Sequence, residues 1–265
     1  FGLTPLFVVI GAEFEVSYLQ LGGILTAYNI ASGVLQTPMG VLVDKFGARR
    51  VLIGGLFVTS SAFALSGFTS SYWELLALFF IAGAGNSVFH PADYVILTAS
   101  VDDSRHGRAY SMHSFGGSLG TAAGPAVMAA LMTMTDWRTA LVISGAVGIC
   151  LCLVFVFSGD ALREDAAAKQ KTKSETPLRS MINRGVILLF LFYVLTSSAN
   201  IGLTAFAPIY LPALYGVTVE TAAYILSVLL FSNALGTLFG GWLADKTPRH
   251  DLVLVISFSI YATLL

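Results

Sequence analysis

The chain has 265 residues, 56% of them hydrophobic and 11% charged, with a mean hydropathy of +0.80. A soluble domain carries about 25% charged residues, and 14 Lys+Arg against 15 Asp+Glu leave a net charge of −1, with no bulk field to draw nucleic acid. With 19 Phe and 10 Tyr among long aliphatic runs, disorder is excluded too, and the composition is that of an integral membrane protein.

A helix needs about 20 mostly apolar residues to cross the hydrocarbon core. Nine candidate spans follow in chain order, near 1–12, 17–43, 50–70, 73–99, 108–134, 139–158, 185–212, 219–243 and 252–265. The chain opens on FGLTPLFVVI without a Met and stops inside LVLVISFSIYATLL, so the first and last spans are expected to be cut. The alternating segments of about 10 residues that mark a membrane β-barrel are absent. Cys150 and Cys152 lie together in an apolar run, form no CxxC pattern and are expected to serve packing.

Orientation follows from Lys and Arg in alternate loops. Thirteen of the 14 fall on one side, in the loops after the second, fourth, sixth and eighth spans, and only Arg138 falls on the other. The first side is expected to be cytoplasmic. The one long polar stretch, 158–184, is expected to link an N-terminal six-helix bundle (1–157) to the start of a second bundle (185–265).

The second span ends in Gly40-Val-Leu-Val-Asp44-Lys45-Phe-Gly47-Ala-Arg49-Arg50, and the eighth in Gly241-Trp-Leu-Ala-Asp245-Lys246-Thr-Pro-Arg249. The Gly-x-x-x-Asp-Lys core recurs 201 residues later, at the same end of the matching helix. Parallel internal repeats of this kind are common in secondary transporters. Gly at the helix end permits close backbone approach. Asp44 can meet a cation or a helix N-terminus, Gly47 permits a tight turn, and Arg49 with Arg50 are expected at anionic headgroups. GVLVDKFGARR resembles the loop motif between helices 2 and 3 of the major facilitator superfamily, and GGWLADKTPR resembles its counterpart between helices 8 and 9. The second copy departs from the first with Pro248 at the place of Gly47 and a single Arg249.

Asp93 is the one formal charge inside a span, apart from residues at span edges. It belongs to Asn86-Ser-Val-Phe-His90-Pro91-Ala-Asp93-Tyr94, where His90 and Asp93 are i, i+3 and Asn86 precedes His90 by four, so all three share a face. Pro91 is expected to kink the helix. The fifth span carries Tyr110 and His113 near its start, and antiparallel packing would bring His90, Asp93 and His113 to one depth. A carboxylate among imidazoles holds a proton that exchanges near neutral pH; a purely structural His–Asp pair is the competing reading.

Gly116, Gly120 and Gly124 repeat every fourth residue ahead of Pro125, a stripe that allows close helix packing. This resembles the Gly-x-x-x-Gly-Pro helix 5 motif of the superfamily's exchangers. SVFHP at 87–91, the SRHG loop at 104–107 and the Gly-rich helix together resemble the fosmidomycin-resistance subgroup of drug exporters. The resemblance implies an all-α fold of two six-helix bundles, with a central cavity lined by helices 1, 4, 7 and 10; the chain would cover helices 1 to 9. In the seventh span Tyr193, Ser197 and Asn200 fall on one face, suited either to a polar ligand or to packing.

HExxH, GxSxG and phosphate-cradling Gly loops are absent, so a membrane enzyme is disfavoured. A receptor-like bundle is disfavoured by the matched loops. The expected function is alternating-access transport of a small molecule with protons as coupling ion, as drug or metabolite efflux. Solute–proton or organic-anion symport is the alternative. No cofactor or metal is implied, and a single copy in a bacterial inner membrane is expected.

Overall fold

A computed structural model describes residues 4–158 and 183–264, and among these every regular element is helical. The helices are α1 (Phe7–Glu13), α2 (Tyr18–Phe46), α3 (Ala48–Ser66), α4 (Tyr72–Asn86), α5 (Phe89–Ser100), α6 (His106–Met134), α7 (Trp137–Phe157), α8 (Arg184–Tyr215), α9 (Val219–Lys246) and α10 (His250–Leu264). Six spans among the described residues are long and apolar enough to cross a membrane, and α1 with α2 make a seventh, bent pair at 117°. Most of the expected linker, with its cluster of Lys and Arg, lies outside the described residues.

Local signals set the boundaries. Ser17 opens α2 with a capping box to Gln20, Ser71 caps α4, and Asp136 caps α7 by accepting from the Arg138 and Thr139 backbone N–H groups. Such side chains satisfy donors that a helix start leaves open. Gly47 joins α2 to α3 at φ 90°, a conformation that L side chains rarely adopt, so the turn expected there is made by backbone freedom.

The fourth span is a single one, Tyr72–Ser100, as expected, and its helical ladder is interrupted at Ser87 and Val88 between α4 and α5. Pro91 has no N–H for the Ser87 carbonyl four residues back, and its ring crowds that carbonyl. The helix therefore breaks where its ladder loses a donor, and Ser87 is buried there with its hydroxyl donating to the Ala84 carbonyl at 2.6 Å.

α3 packs against α4 and α7, and α2 against α4. The approach is close because small residues meet: a Cβ at Gly85 would land on Thr59 and the Gly55 carbonyl, and one at Gly145 on the α3 backbone at Ser60 and Ala64. Without a hydrophobic drive between helices in lipid, such contacts supply much of the packing energy. Buried side chains gather in two clusters. One joins Leu6, Ile10, Leu21, Leu75, Trp137 and Leu141 at the Arg138 end. The other joins Val43, Ala48, Leu52, Ala92 and Ile96 towards the basic end. Cys152 is buried as expected, whereas Cys150 lies on the exposed face of α7.

Candidate functional site

Asp93 on α5 and His113 on α6 meet, with His113 Nε2 3.4 Å from Asp93 Oδ2 and side-chain exposures of 35% and 19% respectively. His90 lies on the exposed side of α5 with its ring stacked on Tyr94 at 6.0 Å; its field still reaches Asp93. Tyr94 also meets the rings of Tyr110, at 5.4 Å, and His113, at 6.5 Å. The Thr98 hydroxyl donates to the Tyr94 carbonyl at 2.6 Å. Its single proton being so used, the 2.6 Å contact with Tyr110 has the Tyr110 hydroxyl as donor. Tyr110 is thereby a tie between α5 and α6.

Asn86 stands apart from this cluster. Its amide donates to Ser32 Oγ on α2 at 2.9 Å, so it joins helices instead of facing His90. His90 is exposed, so the two residues have different surroundings. Tyr193, Ser197 and Asn200 are exposed on α8, and among the described residues their side chains make no hydrogen bond. A separate cavity of about 570 Å³ is bordered by Tyr28, Asn29, Phe79, Gly120, Thr121 and Ser144. Among the described residues no three His, Cys, Asp or Glu side chains gather as a metal site would require.

At the basic end the two motif copies behave differently. Arg49 turns inward, and its Nη2 donates to the carbonyls of Phe155 at 3.0 Å and Val156 at 3.2 Å. It thus satisfies the open C-terminus of α7. The headgroup role expected of Arg49 is replaced by a helix cap, because those carbonyls have no partner in their own helix. Arg50 is exposed, and Lys45 lies over the Phe46 ring at 5.3 Å. Gly40 meets nothing within 4 Å among the described residues, in contrast to Gly241.

Gly241 sits against α6. A Cβ there would fall on Ser111 and the Gly107 carbonyl, and one at Gly107 would fall on the Gly241 carbonyl and Asp245. Asp245, 4% exposed at its side chain, then accepts from Gly107 N at 2.6 Å, Arg108 N at 3.2 Å and Arg108 Nε at 2.7 Å. A carboxylate of α9 therefore fills the N-terminus of α6, where two open N–H donors and the helix dipole favour negative charge. Lys246 is exposed, and Arg249 pairs loosely with Asp251 at 4.0 Å.

Sequence reading placed Arg108 among the orientation charges at the start of the fifth span and Gly107 within the SRHG loop, and gave neither a contact with Asp245. Their signal was a Gly-Arg pair at a helix start together with an Asp in the repeat, for which a helix N-terminus is one expected partner. The expected Gly stripe packs elsewhere than foreseen: Gly116 and Gly120 face open space among the described residues. The smooth contact of α6 is made instead at Gly107. Pro125 sits within an unbroken α6, and Gly124 beside it is half-buried.

Two copies of one loop motif, the second clasped on α6, with a half-buried carboxylate–imidazole pair on α5 and α6, define a membrane protein of internally repeated helices. The family model of the Major Facilitator Superfamily matches residues 1–265, and the chain belongs to that family. It is 25% identical over 259 residues to the fosmidomycin resistance protein of Escherichia coli, covering 95% of this chain and 62% of that protein. It is 27% identical over 259 residues to the probable sulfoacetate transporter SauU of Cupriavidus necator, covering 91% and 60%. In fold it is similar to a crystal structure of the Escherichia coli fucose:proton symporter FucP, with TM-score 0.66 at 18% identity over 94% of this chain and 69% of that one. The chain thus spans about 60% of the length of these two curated relatives.

Proposed function

We propose that the protein containing this chain is a secondary transporter that moves a small molecule by alternating access, coupled to protons and directed to efflux. The observation that carries the reading is the clasp of Asp245 on the first turn of α6. It joins the N-terminal helices to the later ones through three polar contacts and a Gly–Gly crossing, a junction that can open without unpacking either group. The 13-to-1 asymmetry of Lys and Arg supports a cytoplasmic side for the clasp; the membrane is a bacterial inner membrane, and the 158–184 segment is the linker between two bundles. Asp93 with His113 and His90 is the proton site: an intramembrane carboxylate is costly unless paired, and such groups mark ion pathways. Tyr193, Ser197 and Asn200 on α8 face the substrate. The protein acts as a single copy in the bilayer, and the Asp44 loop is the first-half partner of the Asp245 clasp.

Similarity to a fosmidomycin resistance protein supports efflux. A second reading, proton symport of a solute or organic anion, is supported by the names of the sulfoacetate and fucose:proton relatives. The full-length protein in proteoliposomes separates them. With an inward proton gradient imposed and fosmidomycin, sulfoacetate or fucose as probe, exchange drives the probe against the proton flow and symport drives it with the flow. No gradient-dependent flux of any probe, in a panel widened to other drugs and sugar acids, would end the proton-coupled reading.

A further inference from the structure

A run of rings lines the seam between α5 and α6. His90 and Tyr94 stand four residues apart on α5, so one helical turn stacks them, at 6.0 Å and 26°. Tyr110 meets Tyr94 edge-on at 5.4 Å, His113 meets it at 6.5 Å, and His106 lies 6.0 Å from Tyr110. These neighbours fix the Tyr94 ring, yet Tyr94 is 47% exposed, and its hydroxyl makes no hydrogen bond among the described residues. A ring held in one orientation with much of its surface uncovered is preorganised for a further contact.

Asp93 adjoins Tyr94 in the chain and lies 3.4 Å from His113. Away from span ends it is the one formal charge among the described residues, and no Lys or Arg accompanies it there. A neutral imidazole leaves the carboxylate charge unbalanced, and aromatic faces add negative potential to it. An anionic solute meets repulsion at this seam, and a neutral one gains ring contact alone. A cation with a flat apolar body gains both.

We propose that Tyr94, flanked by His90, Tyr110 and His113 and backed by Asp93, is the specificity platform for a lipophilic organic cation carrying aromatic rings. This rests on the reading of the protein as a small-molecule transporter and gives its substrate a chemical class. The Tyr94 ring supplies cation–π attraction and Asp93 supplies charge, both strengthened by the low dielectric of the surrounding span. Tyr110 is tied through its hydroxyl to Thr98 at 2.6 Å, so it holds the shape of the seam while Tyr94 is left to the substrate.

Equilibrium dialysis of the purified full-length protein in detergent micelles tests this at about pH 8, where imidazoles are neutral. The probes are the tetraphenylphosphonium cation and neutral triphenylphosphine oxide, which have similar bodies and differ in charge. The cation is expected to bind saturably and about tenfold or more tighter than the oxide. Tyr94→Leu is expected to weaken the cation by about fivefold or more and the oxide by less, and Tyr94→Phe to stay within about twofold of the parent. Pentafluorophenylalanine in place of Tyr94 keeps the ring's shape and reverses its quadrupole, so it reads the same loss even where Tyr94→Leu does not fold. Asp93→Asn is expected to bring the two probes within about threefold of one another. No saturable binding of the cation, or oxide binding as tight as that of the cation, would overturn the proposal. So would cation binding that neither the fluorinated ring nor Asp93→Asn changes. Binding needs no gradient, so the two readings fail separately. Proton-driven flux of a sugar acid or phosphonate without cation binding removes the platform and leaves transport, whereas cation binding without gradient-driven flux does the reverse.

Discussion

Arg138 shows how a single residue can carry several structural duties. Its guanidinium donates to Glu13 Oε1 at 2.6 Å and to the carbonyls of Thr69 and Gly67, and stacks over the Trp137 ring at 4.3 Å. Trp137 Nε1 donates to the other Glu13 oxygen at 2.6 Å. One side chain thereby ties α1, the α3–α4 loop and α7 at the end opposite the clasp, where it is the sole Lys or Arg among the described residues. Arg138→Ala is expected to cost roughly 1–2 kcal/mol after solvent screening, and Arg138→Lys to recover little because a lysine lacks the planar fork. Thermal unfolding in detergent measures both. Next to it, the Asp136 carboxyl is held below the usual carboxylate range, chiefly by the Thr139 hydroxyl and then by the Thr139 and Arg138 backbone N–H groups. Because its folded value is lowered, the stability it adds is complete above the ordinary carboxylate pKa and disappears as pH falls through the lowered value. The melting difference between parent and Asp136→Ala should therefore shrink below about pH 4.

Among the elements, the broken fourth span and the start of α6 decide where chemistry can occur. The break interrupts the ladder between α4, whose close contacts with α2 and α3 fix it in place, and α5, which carries Asp93 and Tyr94. Pro91→Ala returns an N–H to the Ser87 carbonyl and is expected to join α4 to α5. Transport turnover of the full protein should then fall, while thermal stability holds or rises. Unchanged turnover would mean that the break has no part in the cycle. At α6, Gly241→Ala places a methyl group on Ser111 and the Gly107 carbonyl, so the clasp should fail although each helix folds. A Ser111→Cys variant of the full-length protein, freed of its other cysteines, should then react faster with a polar maleimide than it does with Gly241 in place, because Ser111 is buried against Gly241. The helical periods that placed α6 and α9 could not show this contact, because a Gly pair meeting across helices leaves no periodic mark in either segment.

At the scale of the molecule, alternating access requires a junction that opens and closes once in every turnover cycle. Asp245→Asn removes the charge that the α6 N-terminus attracts and leaves the Asp93 site untouched. It should lower turnover more than apparent substrate affinity in proteoliposomes, and equal losses in both would assign Asp245 to binding instead. Asp93→Asn should remove the response of flux to an imposed pH gradient.

The all-helical membrane fold, the positions of its spans and the repeated loop motif were legible in the residues themselves. They are written by runs of apolar residues and by a short motif spaced 201 residues from its copy. The pairing of Asp93 with His113 was legible as well, since i, i+3 spacing and antiparallel neighbours constrain depth. The partner of each remaining side chain was decided by tertiary structure. Arg49 turned to the α7 carbonyls, Asn86 to Ser32, and Asp245 to the start of α6, because open helix ends and buried polar groups take whichever complementary group packing brings within about 3 Å. That distance is a property of how helices cross, and helix crossing is set by small residues meeting from far apart in the chain.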